Sequence, residues 1–449
     1  MSKRVHIIGI GGTGMSAIAL MLMARGYQVS GSDLNPSAYL DAVIDAGAHA
    51  YLGQDPQVVT NAELVLRSSA VKDGDAELQA AKAAGIPVLN RAQFLPQLIG
   101  VQPCLAVAGS HGKTTTTAML IHLLQAAGQD PSYVLGARLK SSETNAAQGS
   151  GRYFVIEADE YDNMFLGLTP LVSIITNIQH DHPDCFPTPQ DYEAAFLKFA
   201  GQTTGMVLLC GDDEGNKQLL PKLADQAHRN LSYGFEPNND YVVQNPRVEA
   251  GLAQFTLGFK GNRLGEYSLA MPGMHNILNA AAALAVMHQL DLSTNPNALA
   301  GFQGTERRFD RVYQAGGLSI FNDYGHHPTQ IQASIQAARA LYPQAKLWAV
   351  WEPHTYSRTR ALENEFVTAL RAADEVLVSK IYAAREADDG TTPIGITYRL
   401  PNAHYFEAFG DLAHYLGPRI GDNDVVLVLS AGKGPELSQM IIAQHQGVN

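Results

Sequence analysis

A run of apolar residues, Cys104–Ala108, meets the hexapeptide Gly109-Ser110-His111-Gly112-Lys113-Thr114, and this junction constrains the chain more than any other segment. Five consecutive apolar residues make a short buried strand, and the two glycines make a tight turn. Lys113 and Thr114 then open a helix expected over 114–126, with Thr115 in its first turn. Such an element gathers backbone N–H groups at a helix N-terminus, where they cradle phosphate oxygens. The lysine, expected to be open to ligand rather than part of the core, neutralises terminal phosphate charge, and the threonine hydroxyl reaches a divalent cation. The longer form of this motif has a glycine five residues before Gly112. Here that position is Val107, so the loop is a shortened one. The bland alternative is an ordinary strand–helix turn with a chance Gly-Lys-Thr.

The chain around the loop has 449 residues, enough for about three domains. Charged residues are 16% of it, which argues against long disordered charged tails. The net charge of −12 argues against a nucleic-acid or anionic-membrane partner. The segment Met1–Ile10 reads as a strand running into glycines rather than as a signal peptide, and no stretch has the apolar length of a membrane span. Cys104, Cys185 and Cys210 are scattered without metal-ligand spacing, as reduced cytoplasmic thiols would be.

Strand and helix patterns alternate three times over. The first hundred residues offer strands at 5–10, 28–31, 64–68 and 87–90, a small parallel doubly wound domain. Its Gly9-x-Gly11-x-x-Gly14, with Asp33 beyond it, is a dinucleotide-type fingerprint. That pattern says that a diphosphate can approach a helix N-terminus. It does not choose between NAD and another diphosphate, so an NAD-dependent oxidoreductase is the rival reading of this turn alone. A second domain begins near Val101, with strands at 153–156 and 171–175 and a helix opened by Thr188 and Pro189. A third has strands at 318–321, 347–350, 375–378 and 425–429, with helices expected at 329–341, 359–372 and 410–416.

Polar residues cluster where these strands end. Glu157, the first acid off its strand, is placed to hold a cation beside the loop. His182 follows the next strand in a loop crowded by His180, Asp181 and Asp184. Imidazole is an unusual Mg²⁺ ligand. In the third domain, Asp323-Tyr324-Gly325-His326-His327 and His354-Thr355-Tyr356-Ser357-Arg358 follow successive strands. Thr329 and Thr359 suit helix N-caps. Arg358 suits a carboxylate, because its guanidinium is a bidentate fork, although an exposed helix-start arginine is the plain alternative. There is no Gly-x-Ser-x-Gly nucleophile elbow, which points to chemistry by positioning and electrostatics.

Read together, these segments resemble the Mur ligase family over nearly the whole chain. The resemblance is carried by Gly9–Met15, Gly31–Leu34, Ser68–Val71, Gly109–Thr116, Glu157–Glu160, Thr176–Ile178, Pro272–Asn276, Arg307–Asp310, Asp323–Thr329 and Pro353–Thr359. It implies an α/β fold of three domains: N-terminal Rossmann-like (1–100), central P-loop ATPase-like (101–311) and C-terminal Rossmann-like (312–449). It implies ATP and Mg²⁺ as cofactors and a cytoplasmic enzyme, monomer or homodimer. The activity implied is ATP-dependent joining of L-alanine to the carboxylate of UDP-N-acetylmuramate through an acyl phosphate.

The resemblance would also distribute the site residues. Gly11, Gly12, Thr13, Gly14, Asp33, Ser68 and Ser69 would bind the UDP-sugar. Gly109, Ser110, His111, Gly112, Lys113, Thr114 and Thr115 would bind ATP, with Asn276 and Asn279 at adenine and Arg307, Arg308 and Asp323 nearby. Thr114, Glu157 and His182 would surround Mg²⁺. Tyr324, His326, His354 and Arg358 would face alanine. Apart from the resemblance, general-base chemistry calls for a nearby histidine, His182 or His326, to accept the amine proton. A family member that ligates a murein tripeptide acts on the same nucleotide sugar, but Pro353–Thr359 favours the alanine-adding kind. Thr355, where several relatives have arginine, and Ser430–Pro435 depart from the family pattern.

Overall fold

The computed structural model describes residues 3–249, 252–384 and 386–448. They form three sheets in two compact units. One unit runs up to Pro246 and adds Gln254–Leu269 and Leu278–Gln303; the other takes Arg247–Ala253, Ala270–Ile277 and everything from Gly304.

In the first unit, five parallel strands lie in the order His49–Leu52, Gln28–Asp33, Arg4–Ile8, Leu64–Arg67, Val88–Asn90. The order reverses at Arg4–Ile8, so a crevice opens at its carboxyl end, which is where the Gly9–Gly14 turn sits. The strand is buried from Val5 to Ile8, and the helix Thr13–Ala24 covers it with Met15, Ile18, Met21 and Leu22.

The second sheet builds the phosphate loop's surroundings. Cys104–Ala108 is flanked in parallel by Phe154–Glu157 on one side and Val172–Ile175 on the other. Both neighbours are fully buried until their last residue or beyond, so their polar continuations emerge at the same edge as the loop. The helix Lys113–Ala126 starts one residue earlier than expected. Thr188 caps Pro189–Gly201 with a reciprocal bond to Asp191, as the sequence predicts.

The third sheet, in the second unit, runs Asp310–Ala315, Leu318–Asp323, Asp424–Leu429, Lys346–Trp351, Glu375–Ser379, Ala403–Phe406. It is parallel except for its first strand, an antiparallel edge that the alternation of strands and helices does not announce. Two expected caps move. Pro328 has no N–H to donate and takes the first helical position, so His327, not Thr329, caps Pro328–Leu341. The helix expected at 359–372 is two short ones, Tyr356–Ala361 and Glu363–Leu370. Thr355 caps the first, while Thr359 lies inside it and returns its hydroxyl to the Thr355 carbonyl at 2.7 Å.

Candidate active site

The phosphate loop is clamped by the segment that leaves the neighbouring strand. The Ser110 N–H donates to the Asn177 carbonyl at 3.0 Å and the His111 N–H to Asn177 Oδ1 at 2.9 Å. In return Thr176 Oγ1 and Asn177 Nδ2 donate to the His111 carbonyl at 2.6 and 3.0 Å. His111 Nε2 lies 3.1 Å from Gln179 Oε1. Both loop glycines are obligatory: φ is +132° at Gly109 and +82° at Gly112. A Cβ on Gly109 would stand 2.0 Å from Thr176 Oγ1, and one on Gly112 would stand 2.6 Å from Asn279 Oδ1. Asn279 thus lies against the loop, and Thr115 is buried in the first helical turn.

Thr114 and Glu157 meet as the sequence predicts. Thr114 Oγ1 donates to Glu157 Oε1 at 2.9 Å, and Glu157 Oε2 accepts the Gly136 N–H at 2.7 Å. This pair of oxygens is the donor set a magnesium ion takes from a protein when phosphates and waters supply the rest. Among the described residues no cluster of three or more His, Cys, Asp or Glu has metal-binding geometry.

Lys113 differs from expectation. Its ammonium is 14% exposed and donates to Glu160 Oε2 at 2.7 Å, to Oε1 at 3.0 Å and to the Gly109 carbonyl at 2.6 Å. Burial works against the charge, but Glu160, Asp159 and Glu157 outweigh it and hold the lysine pKa above its ordinary value. Glu160 is therefore a site residue that strand-end reasoning passed over. It is fully buried, accepts from the Tyr192 hydroxyl at 3.2 Å, and lies 3.7 Å from His182 Nε2. Its one signal was position, three residues past Glu157 in the same acidic tetrad. Burial, with Glu160 adding to it, pushes the Tyr192 phenol well up, so it stays neutral.

The histidine loop divides its labour. His182 sits at φ +56° with its N–H on Asp181 Oδ1 and its ring edge-on to Tyr161. His180 Nε2 instead faces the Phe186 carbonyl at 2.8 Å, and Asp184 accepts from Tyr161.

The first glycine turn is built differently. Asp33 Oδ2 accepts the Gly11 N–H at 2.9 Å and Oδ1 accepts the Asn35 N–H at 3.1 Å, so Asp33 braces the turn. A Cβ on Gly11 would meet Asp33 and Ser37 at 3.0 Å, so the chain itself, before any ligand, leaves little room for a side chain there. Ser68 packs on Gly9, where a Cβ would stand 2.8 Å from its own; Ser69 and Gly12 are exposed. Asn145 Nδ2 donates to the Thr13 carbonyl at 2.8 Å. At Gly14 a Cβ would come within 2.1 Å of Arg91 Nη1, a residue the sequence reading did not single out.

In the second unit, the residues at the ends of Leu318–Asp323 and Lys346–Trp351 converge. Arg358 is 7% exposed, not a surface residue, and its Nη1 lies 2.9 Å from His354 Nδ1. His354 and His326 have ring centroids 5.5 Å apart, and His326 stands edge-on to Tyr324. Arg307 and Arg308 each hold their guanidinium 4.8 Å from the Tyr324 ring centroid. Arg307 Nη2 also donates to the Ser430 and Gly432 carbonyls at 2.9 and 3.1 Å. Asp323 accepts from the Phe309 and Gly325 N–H groups at 2.8 and 2.7 Å; burial raises its pKa against the pull of Arg308. Asn276 is buried, with its amide donating to the Pro272 carbonyl at 2.6 Å. Tyr382, bridged to His354 through the backbone, joins this group unannounced by any motif.

Three family models match the chain: "Mur ligase family, catalytic domain" over 4–102, "Mur ligase middle domain" over 107–287, and "Mur ligase, glutamate ligase domain" over 307–432. A UDP-N-acetylmuramate–L-alanine ligase of Nitratidesulfovibrio vulgaris strain Hildenborough is 36% identical over 451 residues, 98% of each chain. One of Geobacter sp. strain M21 is 38% identical over 440 residues, 96% of this chain and 95% of that one. Among solved structures, the UDP-N-acetylmuramate–alanine ligase of Thermotoga maritima superposes with a TM-score of 0.86 at 27% identity, covering 99% of this chain and 100% of that one.

Proposed function

The chain belongs to the Mur ligase family, and we infer that it joins L-alanine to UDP-N-acetylmuramate at the expense of ATP, a step of peptidoglycan synthesis. The observation that carries this reading is full-length similarity to alanine-adding ligases, together with an intact Lys113, Thr114 and Glu157 at the loop. Within the three-domain architecture we place the boundaries near 100/101 and 311/312.

The γ-phosphoryl of ATP passes to the carboxylate of UDP-N-acetylmuramate, the amine of alanine attacks the acyl phosphate, and phosphate leaves. Backbone N–H groups of Gly109–Thr114 receive the phosphates. Lys113 must exchange Glu160 for phosphoryl oxygens, and its charge then offsets what develops there. Thr114 and Glu157, with His182, are the residues that would hold Mg²⁺, which supplies further positive charge to the same oxygens. Asn279 flanks the loop for the nucleotide, and Asn276, Arg307, Arg308 and Asp323 are further residues that we assign to ATP. The Gly9–Gly14 turn takes the diphosphate of the UDP-sugar. Arg358, buried and oriented by His354, grips the alanine carboxylate between Tyr324 and His326. No helix among the described residues is long and apolar enough to cross a membrane.

The test is to incubate the protein with ATP, Mg²⁺ and UDP-N-acetylmuramate, vary the amino acid, and weigh the product. Alanine adduct with ADP release is expected. Ligation of murein tripeptide without alanine would move the chain to the recycling branch. The amino-acid site has its own check. Arg358→Lys keeps charge but loses the fork, so KM for alanine should rise about tenfold or more with KM for ATP little changed.

A further inference from the structure

Arg91 is the first residue of the helix Arg91–Ile99, which Asn90 opens with a reciprocal Asn90–Gln93 capping box at the carboxyl end of its strand. The capping box fixes where the side chain starts, and the side chain then crosses to the first glycine turn. Its Nη1 would be 2.1 Å, and its Cζ 2.9 Å, from a Cβ on Gly14, so the guanidinium lies against the bare backbone of that helix start. The group is 21% exposed, and burial works against its charge. Its ion-pair partner is Asp159, at 3.7 Å, beyond hydrogen-bond distance. A largely desolvated guanidinium with five donors and no close acceptor among the described residues is costly unless something else supplies the oxygens. Asp159 itself lies two residues past Glu157, so Arg91 stands between the diphosphate turn and the acidic edge of the phosphate loop.

We propose that Arg91 is a substrate-positioning residue that receives an anionic group of the nucleotide sugar in its planar fork. This rests on reading the Gly9–Gly14 turn as the UDP-sugar cradle. The anion is either the diphosphate or the carboxylate that accepts the phosphoryl group, since both are oxyanions of the same molecule and a fork binds either. Glycine at position 14 is then required because Arg91 lies on it.

Calorimetric titration of wild type, Arg91→Gln, Arg91→Lys and Asp159→Asn with UDP-N-acetylmuramate and UDP-N-acetylglucosamine tests this. Arg91→Gln should weaken UDP-N-acetylmuramate about ten- to hundredfold. Its KM for the sugar nucleotide should rise while that for ATP holds, and Arg91→Lys should recover part of the loss. Equal losses for both sugars assign the fork to the diphosphate, and loss for the muramate alone assigns it to the carboxylate. If Arg91 only braces its neighbours through Asp159, then Asp159→Asn should copy Arg91→Gln, and that result overturns the proposal. So does Arg91→Gln with affinity within twofold of a folded wild type. Wild type that binds neither sugar would instead refute the cradle itself.

Discussion

Two turns in this molecule have the same backbone plan and opposite ways of acquiring charge. Gly9–Gly14 and Gly109–Thr114 each follow a buried parallel strand, each begin with a glycine at positive φ, and each open a helix of twelve or more residues. The second carries its cation within the motif, as Lys113, and a carboxylate from the adjacent strand end already holds it. The first has no ionisable residue in the turn. Its cation, Arg91, arrives from a different helix, and its brace, Asp33, from a different strand. Backbone geometry can therefore repeat while electrostatics are supplied once by local sequence and once by tertiary structure. Substitutions that act on one turn should leave the other's ligand alone, and the predictions below test that separation.

The largest effect belongs to Lys113. Lys113→Ala should lower turnover about 10²-fold or more, because a positioned charge at the transferred phosphoryl group is lost. It should also cost stability, since Glu160 is left buried without its cation, a situation worth about 3–5 kcal/mol. Adding Glu160→Gln should recover the melting temperature without recovering kcat. If the double variant melts no higher than Lys113→Ala, the two residues are not a coupled pair. Affinity for UDP-N-acetylmuramate should hardly move in either variant.

Next comes acid sensitivity beneath the first turn. Glu77 is fully buried and accepts from Tyr51 Oη at 2.7 Å, the Asp55 N–H at 2.7 Å, Ser32 Oγ and, at 3.3 Å, His6 Nε2, so it ties three strands together. Burial alone would raise its pKa, but those donors outweigh it and bring it to about 2. A carboxyl lowered on folding stabilises the native state above its unfolded pKa of roughly 4.3, and that stability fades as pH falls toward the folded value. The full contribution is about 3 kcal/mol. The clamps on the phosphate loop backbone from Thr176 and Asn177 are uncharged and carry no such dependence. Urea unfolding between about pH 5 and pH 3 should show the loss in wild type, and Glu77→Gln should flatten it. An unflattened profile would assign the acid sensitivity elsewhere.

The contrast between the turns also explains what could be read in advance. Strand Cys104–Ala108, the helix after it and the Thr188 cap follow from residues near one another in sequence, where period, capping and motif apply directly, and Thr114 beside Glu157 follows from the rule that parallel strands end at one edge. The doubly wound sheets follow from alternation. Glu160 and Arg91 do not, because their importance lies in what they touch. An acid three past a strand end and an arginine after an asparagine look solvated until the fold sets them against Lys113 and Gly14. Arg358 was legible as a candidate, but its burial and its bond to His354 were not. The two misplaced caps have a local cause: Pro328 and the positive φ of Thr355 start their helices earlier than the threonines that resemble caps.

The smallest and sharpest test sets the two glycines against each other. Gly112 is at φ +82°, so alanine there is strained, and its Cβ would also press on Asn279. Gly112→Ala should lower stability by about 1–2 kcal/mol and raise KM for ATP, with KM for the UDP-sugar unchanged. Gly14 has no such backbone demand, because it is the second residue of the helix Thr13–Ala24 and is not at positive φ, so alanine is unstrained there. Gly14→Ala should therefore hold or raise the melting temperature if Arg91 swings aside. The guanidinium is displaced all the same, so KM for UDP-N-acetylmuramate should rise about tenfold while KM for ATP holds. One substitution thus costs stability and the other does not, and each affects only its own nucleotide. A methyl group at position 14 also stands near where a diphosphate would lie, so the double variant Gly14→Ala, Arg91→Gln decides the route. If Gly14→Ala acts through Arg91, the double variant binds no worse than Arg91→Gln alone. If the two losses multiply, the methyl group meets the ligand directly, and glycine at position 14 is required by the substrate rather than by the arginine.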